Sequence, residues 1–176
     1  MTDATFDPVA EGYDDQFSNT IIGKLQRSTV WKFLNKDLDE RNLEILEINC
    51  GTGIDAHWLS EKGHSVVATD VSSNMIKVAK AKFPKVKFQV CGFNDIESSF
   101  KSNSFDVVLS NFAGLNCIDE SELKKVQKSI AEVLKPHGKF IGVFLGKDTW
   151  MEQFYFWIKG KNELIYRRKT QAVANL

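Results

Sequence analysis

The stretch "LEILEINCGTGIDA" (43–56) is an apolar run of strand length that stops at a glycine-bearing turn and resumes as the helical segment "DAHWLSEK" (55–62). Gly51 and Gly53 let the backbone turn tightly and approach a ligand with no Cβ in the way. The free N–H groups at the start of the next helix favour a carboxylate or phosphate. Two readings of the turn stand: a plain strand-to-helix connection, or a ligand cradle. Asp70 favours the second. It ends "SVVATD" (65–70) roughly 20 residues after the glycines, where a carboxylate can accept hydrogen bonds from ribose hydroxyls. Ser72, two residues on, competes with Asp70 as cap of the next helix.

Outward from this turn, strand and helix signals alternate. "LEILEI" (43–48), "SVVATD" (65–70), "VKFQV" (86–90), "FDVVLSN" (105–111) and "KFIGVFL" (139–145) have the length and β-branched or aromatic content of buried strands. Between the last two, residues 120–135 repeat Leu123, Val126, Ile130, Val133 and Leu134 on one face. Asp119 and Glu122 form a capping box before it, and Pro136 is expected to end it. Such alternation builds βαβ units. The expected fold is therefore α/β, a doubly wound, mostly parallel sheet with helices on both faces. A single domain over 1–176 is expected: an N-terminal helical lid (1–40), a core (43–146), and an aromatic helix with a tail (147–176). Residues 1–40 read as two helices, the second carrying Ile21, Ile22, Leu25, Val30, Trp31, Phe33 and Leu34, and are expected to pack as a lid near the ligand edge of the sheet.

Composition narrows the function. With 23 basic and 23 acidic residues the formal charge is zero, so no overall field draws in nucleic acid or an anionic membrane. Neither is an expected partner. Cys50, Cys91 and Cys117 are far apart, odd in number and outside any metal-ligand spacing, which reads as reduced thiols with no metal site. The acidic start "MTDATFDPVAEGYDDQF" has no apolar leader, and no run approaches the ~20 residues of a membrane span. A cytoplasmic protein is expected.

The ordered series "ExxCGTGxDA" (47–56), "GHSVVATDVSSNMI" (63–76), "FDVVLSNFAGLNC" (105–117) and "LKPHGKFIGVF" (134–144) resembles the class I S-adenosylmethionine-dependent methyltransferases, particularly the small-molecule branch. "FDPVAEGYDDQF" (6–17) is similar to the segment that closes over the cofactor in that family. The resemblance runs from about residue 6 to about 160. It implies a Rossmann-like methyltransferase fold, S-adenosylmethionine as cofactor and S-adenosylhomocysteine as product. On the cofactor side it implies Glu47 at the methionine amino group, and Asn49, Cys50, Gly51, Thr52 and Gly53 along the ligand. Asp70 with Val71 would lie at the ribose, Phe93 and Asn94 at the adenine, Tyr13 in the lid, and Asn111 and Phe112 at the mouth facing a small-molecule acceptor. The sequence departs from the family at Asn49, His137 and Gly92, the last where many relatives carry an acid for the adenine amine; Ala56 stands where dinucleotide-binding enzymes would show the third glycine of G-x-G-x-x-G.

No dedicated catalytic residue is assigned. Methyl transfer from an activated sulfonium carbon needs orientation and water exclusion more than a nucleophile. His57 and His64 read as helix and opposite-end residues. Cys50 and Cys117 read as small hydrophobes. "SNFAG" differs from the Asn-Pro-Pro-aromatic motif of adenine methylation, and no magnesium-ligand cluster is visible. A cofactor-binding but catalytically silent protein is the competing reading, and a nicotinamide oxidoreductase is third.

The end of the chain adds one expectation. Relatives close the sheet with a strand hairpin, yet only 16 residues follow Gly160 (176 minus 160), too few for a connection and two strands. The fold is expected to lack that hairpin, to present "KFIGVFL" as an apolar edge, and to form a homodimer through 139–176. "YRRK" (166–169) reads as a solvated basic run.

Overall fold

A computed structural model describes residues 7–38, 42–144 and 146. Five strands form one parallel sheet in the order β3-β2-β1-β4-β5. They are β1 (Glu44–Ile48), β2 (Ser65–Asp70), β3 (Lys87–Val90), β4 (Phe105–Ser110) and β5 (Leu134–Gly142). The helices are α1 (Ile21–Asp37), α2 (Ile54–Glu61), α3 (Ser73–Lys82), α4 (Ile96–Ser99) and α5 (Glu120–Val133). Central β1 pairs Ile45 with Val66 of β2 on one side and with Val107 of β4 on the other. The chain therefore reverses direction around β1, and the crevice beyond its carboxyl end is the topological switch point of the sheet.

Alternation along β1 fills both faces. Ile45 packs with Leu34 of α1, Leu38 just after it, Leu59 of α2 and Ile76 of α3. Leu46 and Ile48 pack with Ile96 of α4 and Val126, Ile130 and Val133 of α5. Asp119 caps α5 as its sequence foretells, accepting from the Glu122 N–H at 2.9 Å while the Glu122 side chain returns to the Asp119 N–H. Ser72 caps α3, accepting from Met75 N–H at 3.0 Å. That leaves Asp70 for other partners.

Two expectations are corrected. The first 40 residues hold one regular helix among those described, α1; before it lie a single 3₁₀ turn (Asp7–Val9) and a π turn (Asp14–Ser18). Secondly, α5 ends at Val133 and β5 starts at once, so the fifth strand is 134–142 rather than 139–145, and Pro136 lies inside it. The cause is early pairing of Leu134 with Phe105 and an irregularity before Val107. His137 there takes φ +68, and a bulge on an edge strand tolerates proline. Within α1, Gly23, Arg27 and Leu34 are buried, while Ile21, Ile22, Leu25 and Phe33 face outward. The buried stripe contains a cation because a carboxylate of α2 waits beneath it. The aromatic helix, the basic run and the tail expected within 147–176 lie outside the described residues.

Candidate functional site

The turn after β1 departs from regular backbone at three of five positions. Asn49, Gly51 and Gly53 have φ +55, +54 and +79. The two glycines serve different ends. A Cβ on Gly53 would strike the Phe88 ring at 2.6 Å, so this glycine admits close packing of α2 on the sheet. A Cβ on Gly51 would meet nothing within 4 Å. Gly51 thus borders open space, which is the ligand-cradle arrangement.

The strand tips around that space are laced together. Cys50 N–H donates to Thr69 O at 2.8 Å and Cys91 N–H to Asp70 O at 3.0 Å. Asp70 binds backbone with both oxygens: Oδ2 accepts from Gly51 N–H and Oδ1 from Ser72 N–H, each at 2.9 Å. Burial pushes its carboxyl above the usual range, although these bonds oppose the shift. Each oxygen keeps a lone pair for a hydroxyl donor. Beside it Val71 is 40% exposed.

Glu47 lies at the floor. Alternation places it on the face of Ile45, beneath α2, and it is 1% exposed with Oε2 unpartnered. Burial first, then the nearby Asp55 carboxylate, raises its carboxyl well above the usual range, while a bond from the Ala56 N–H pulls the other way. A buried orphan acceptor is costly. An ammonium group reaching Oε2 would relieve that cost.

Opposite Glu47 stands a network that the sequence reading missed. Asp55, 4% exposed, accepts from Arg27 Nε at 3.1 Å, Trp31 Nε1 at 2.6 Å and Asn111 Nδ2 at 3.0 Å. Arg27 stacks its guanidinium 4.6 Å from the centroid of Phe112. Its terminal nitrogens make no hydrogen bond among the described residues. The available signal was Arg27 at i+4 from Gly23 and seven before Leu34, a cation on the buried stripe of α1.

Asn111 and Phe112 follow β4 as expected, in a strained loop: Phe112 and Ala113 take φ +50 and +61. Such conformations persist only where the surroundings enforce them. Asn49 does so from the cradle, donating from Nδ2 to Asn111 O at 2.7 Å and accepting from Ser110 Oγ at 2.6 Å. A Cβ on Gly114 would collide with the Asn49 side chain at 2.3 Å, so the two are matched. Asn111 Oδ1 accepts from the Phe112 N–H at 2.8 Å. The Phe112 ring meets Phe17 edge-on at 5.4 Å, and Phe17 contacts Tyr13 at 5.7 Å. Together they make an aromatic wall.

The N-terminal segment is tied to the cofactor side by two carboxylates. Asp14 accepts from Thr52 Oγ1 at 2.7 Å and pairs with Lys82 at the end of α3. Burial works to raise the Asp14 carboxyl, yet these bonds win and hold it below the usual range. Asp7 accepts from Ser72 Oγ, and its carbonyl accepts from Asn74 Nδ2 at 3.2 Å. Tyr13 sits between these anchors, half-buried, its hydroxyl pushed up chiefly by burial.

The other expected residues fall as follows. Cys50 is 8% exposed within the core, and burial raises its thiol well above the ordinary value. Phe93 is half-buried against the α5 side of the core, and Asn94 is exposed. A Cβ on Gly92 would lie 3.3 Å from Asp95 Oδ2. The Asp95 carboxylate thus lies next to Gly92. His57 stacks on Phe83 at 4.2 Å, away from the mouth. No cluster suited to a metal ion occurs among the described residues.

A parallel sheet reversing at β1, a cradle beneath Asp70 and a buried acid under the turn define a nucleoside-binding Rossmann-like protein. Residues 45–138 match the methyltransferase domain family, and the chain belongs to it, within the class I S-adenosylmethionine-dependent methyltransferases. It is 33% identical over 140 residues to a demethylmenaquinone methyltransferase of Renibacterium salmoninarum, covering 78% of this chain and 56% of that protein. To a tRNA 5-carboxymethoxyuridine methyltransferase of Escherichia coli it is 29% identical over 147 residues, covering 78% and 55%. The crystal structure of PH0226 protein from Pyrococcus horikoshii superposes with a TM-score of 0.67 at 29% identity, covering 76% of this chain and 65% of that one. The chain spans about half the length of these two curated relatives.

Proposed function

We propose that this chain binds S-adenosylmethionine across the tips of β1, β2 and β3 and transfers its methyl group to a small-molecule acceptor. The unpartnered, buried Glu47 Oε2 carries the reading: it sits under the one turn glycine that borders open space and calls for a ligand cation. In this reading Glu47 takes the amino group of the methionine moiety, and the terminal nitrogens of Arg27 its carboxylate. Asp70 takes the ribose hydroxyls, and Asp95 with Phe93 the adenine. The cofactor supplies a methyl group on a positively charged sulfur. The chain orients it: Asn49 and Asp55 fix the loop of Asn111 and Phe112, and Tyr13, Phe17 and Phe112 exclude water from the mouth.

The relatives named above act on different acceptors, a quinone precursor and a tRNA nucleoside. An aromatic wall favours a flat or apolar small molecule. Calorimetric titration with S-adenosylhomocysteine, S-adenosylmethionine and NAD tests the cofactor, and methyl release against a metabolite pool tests turnover. Binding of NAD alone overturns the reading. A second reading, a silent cofactor-binding protein, draws on the mouth itself: His57 is stacked on Phe83 and Arg27 is engaged by Asp55, leaving no histidine there as a base. Cofactor binding without methyl release from any pool would select it.

A further inference from the structure

The backbone at residue 49 suits glycine and the backbone at residue 114 does not require it, yet the chain carries asparagine at the first and glycine at the second. Asn49 takes φ +55, a conformation that glycine enters freely and asparagine tolerates. Gly114 stands outside the positive-φ region. The three atoms nearest to a Cβ built on it are Cγ, Nδ2 and Cβ of Asn49, at 2.3, 2.5 and 2.7 Å. Gly114 is therefore a glycine because of the Asn49 side chain, and that side chain sits where a glycine would serve the turn alone.

The amide of Asn49 is spent on the loop after β4. Nδ2 donates to Asn111 O at 2.7 Å, and Oδ1 accepts from Ser110 Oγ at 2.6 Å. A carbonyl oxygen can only accept, so the first bond fixes which end of the amide is the nitrogen. Neither bond goes to β2 or β3. The turn keeps its own ties to those strand tips through backbone: Cys50 N–H donates to Thr69 O and Gly51 N–H to Asp70 Oδ2. On the far side of the loop, Ala113 N–H donates to Val143 O at 3.0 Å and Val143 N–H to Ser110 O at 2.8 Å. Phe112 and Ala113, the two residues with positive φ there, are thus clamped between Asn49 and the end of β5. Such a conformation holds only while its clamps do.

We propose that Asn49, although it lies in the cofactor turn, is a positioning residue for the methyl acceptor. Its amide, matched to Gly114, sets the loop 111–114 and with it the Phe112 ring, which meets Phe17 at 5.4 Å in the wall of the mouth. Nucleoside affinity rests on the turn's backbone and on the acids beside it. This role depends on the methyltransferase reading; the match of Asn49 to Gly114 does not.

Asn49→Gly deletes the amide and suits the backbone, so it tests the side chain with the turn intact. In the whole chain it should raise amide hydrogen exchange across 110–117 at least about tenfold while leaving 65–70 unchanged, and keep S-adenosylhomocysteine affinity within about threefold of wild type. With S-adenosylmethionine saturating and the metabolite pool supplied as a dilution series, methyl release per unit of dilute pool should fall at least about tenfold. Asn49→Asp keeps an acceptor for Ser110 Oγ but sets an oxygen against Asn111 O, and should behave like Asn49→Gly. Gly114→Ala should loosen the loop in the wild-type background and add nothing in the Asn49→Gly background. Nucleoside affinity that falls as far as methyl release puts Asn49 in the cofactor site and overturns the role. So do unchanged exchange in Asn49→Gly and a Gly114→Ala effect that is equal in both backgrounds. A wild-type chain that binds no S-adenosylhomocysteine, or transfers no methyl group to the pool, removes the methyltransferase reading and the acceptor role with it, whereas the exchange measurements still decide whether Asn49 and Gly114 are matched.

Discussion

Asn111 Nδ2 lies 3.0 Å from Asp55 Oδ2, a buried bond between the loop after β4 and the first turn of α2. Through Asp55 that loop is joined to Arg27 and Trp31 of α1, so one carboxylate aligns three elements. Asp55→Ala leaves a buried guanidinium, an indole N–H and an amide without their acceptor. A loss of about 3–5 kcal/mol of stability is expected, read by urea unfolding. A loss under about 1 kcal/mol would show the network to be incidental to the fold.

Glu47 gives the binding site a pH dependence. Its folded carboxyl is raised well above the ordinary value, so the folded protein holds a proton that the unfolded chain has released. Stability therefore falls as pH climbs from the ordinary glutamate range towards the raised value. Ligand affinity moves the other way: an ammonium at Oε2 favours the ionised form, so binding releases the proton and strengthens by up to about tenfold per pH unit in that window. Calorimetry of S-adenosylhomocysteine in buffers of different ionisation enthalpy measures the proton release. Glu47→Gln should abolish it, and proton uptake by the wild type would contradict the assignment.

Asp70→Ala is expected to weaken S-adenosylhomocysteine binding by about 1.5–3 kcal/mol, the value of charge-assisted bonds to the ribose. Because its oxygens also hold Gly51 and Ser72 N–H, the turn loosens too and the melting temperature drops. Wild-type affinity in the variant would refute the ribose role.

The two turn glycines should separate binding from folding. Gly51→Val places a branched side chain in the open space and should abolish nucleoside binding; the residue's φ of +54 adds a strain of about 1 kcal/mol or more. Gly53→Ala should cost stability instead, about 1–3 kcal/mol of overpacking against Phe88 and Ala79. The measurement is a melting curve and a titration for each. Identical behaviour of the pair would argue against the division.

The core was legible where burial and period agree. β1 carries apolar residues towards both helix layers, and "ExxCGTGxDA" with Asp70 marks the turn whose Gly51 N–H donates to the Asp70 carboxylate. What stayed hidden depends on partners distant in sequence. Hydrophobicity alone does not tell which face of α1 turns inward; the inner stripe is set by Arg27, whose burial makes sense only with Asp55 28 residues away. Pro136 reads as a helix stop because its tolerance depends on the irregular pairing of β5 with Phe105. Asp95 escaped notice because a 3₁₀ turn brings it back to Gly92.

The anchors of the N-terminal segment impose an order of events. Asp7 grips the cap of α3, and Asp14 bridges the hydroxyl of Thr52 to Lys82, so with the cofactor placed as proposed a nucleoside is expected to enter or leave only when both let go. The aromatic mouth lies on the other side, at Phe17 and Phe112, and takes shape when Tyr13 and Phe17 are back in place. Kinetics should then be compulsory: donor first on, its spent form last off. Steady-state rates should show S-adenosylhomocysteine competing with the donor and not with the acceptor. Weakening the clasp by Lys82→Ala should raise turnover wherever departure of the spent nucleoside is the slowest event.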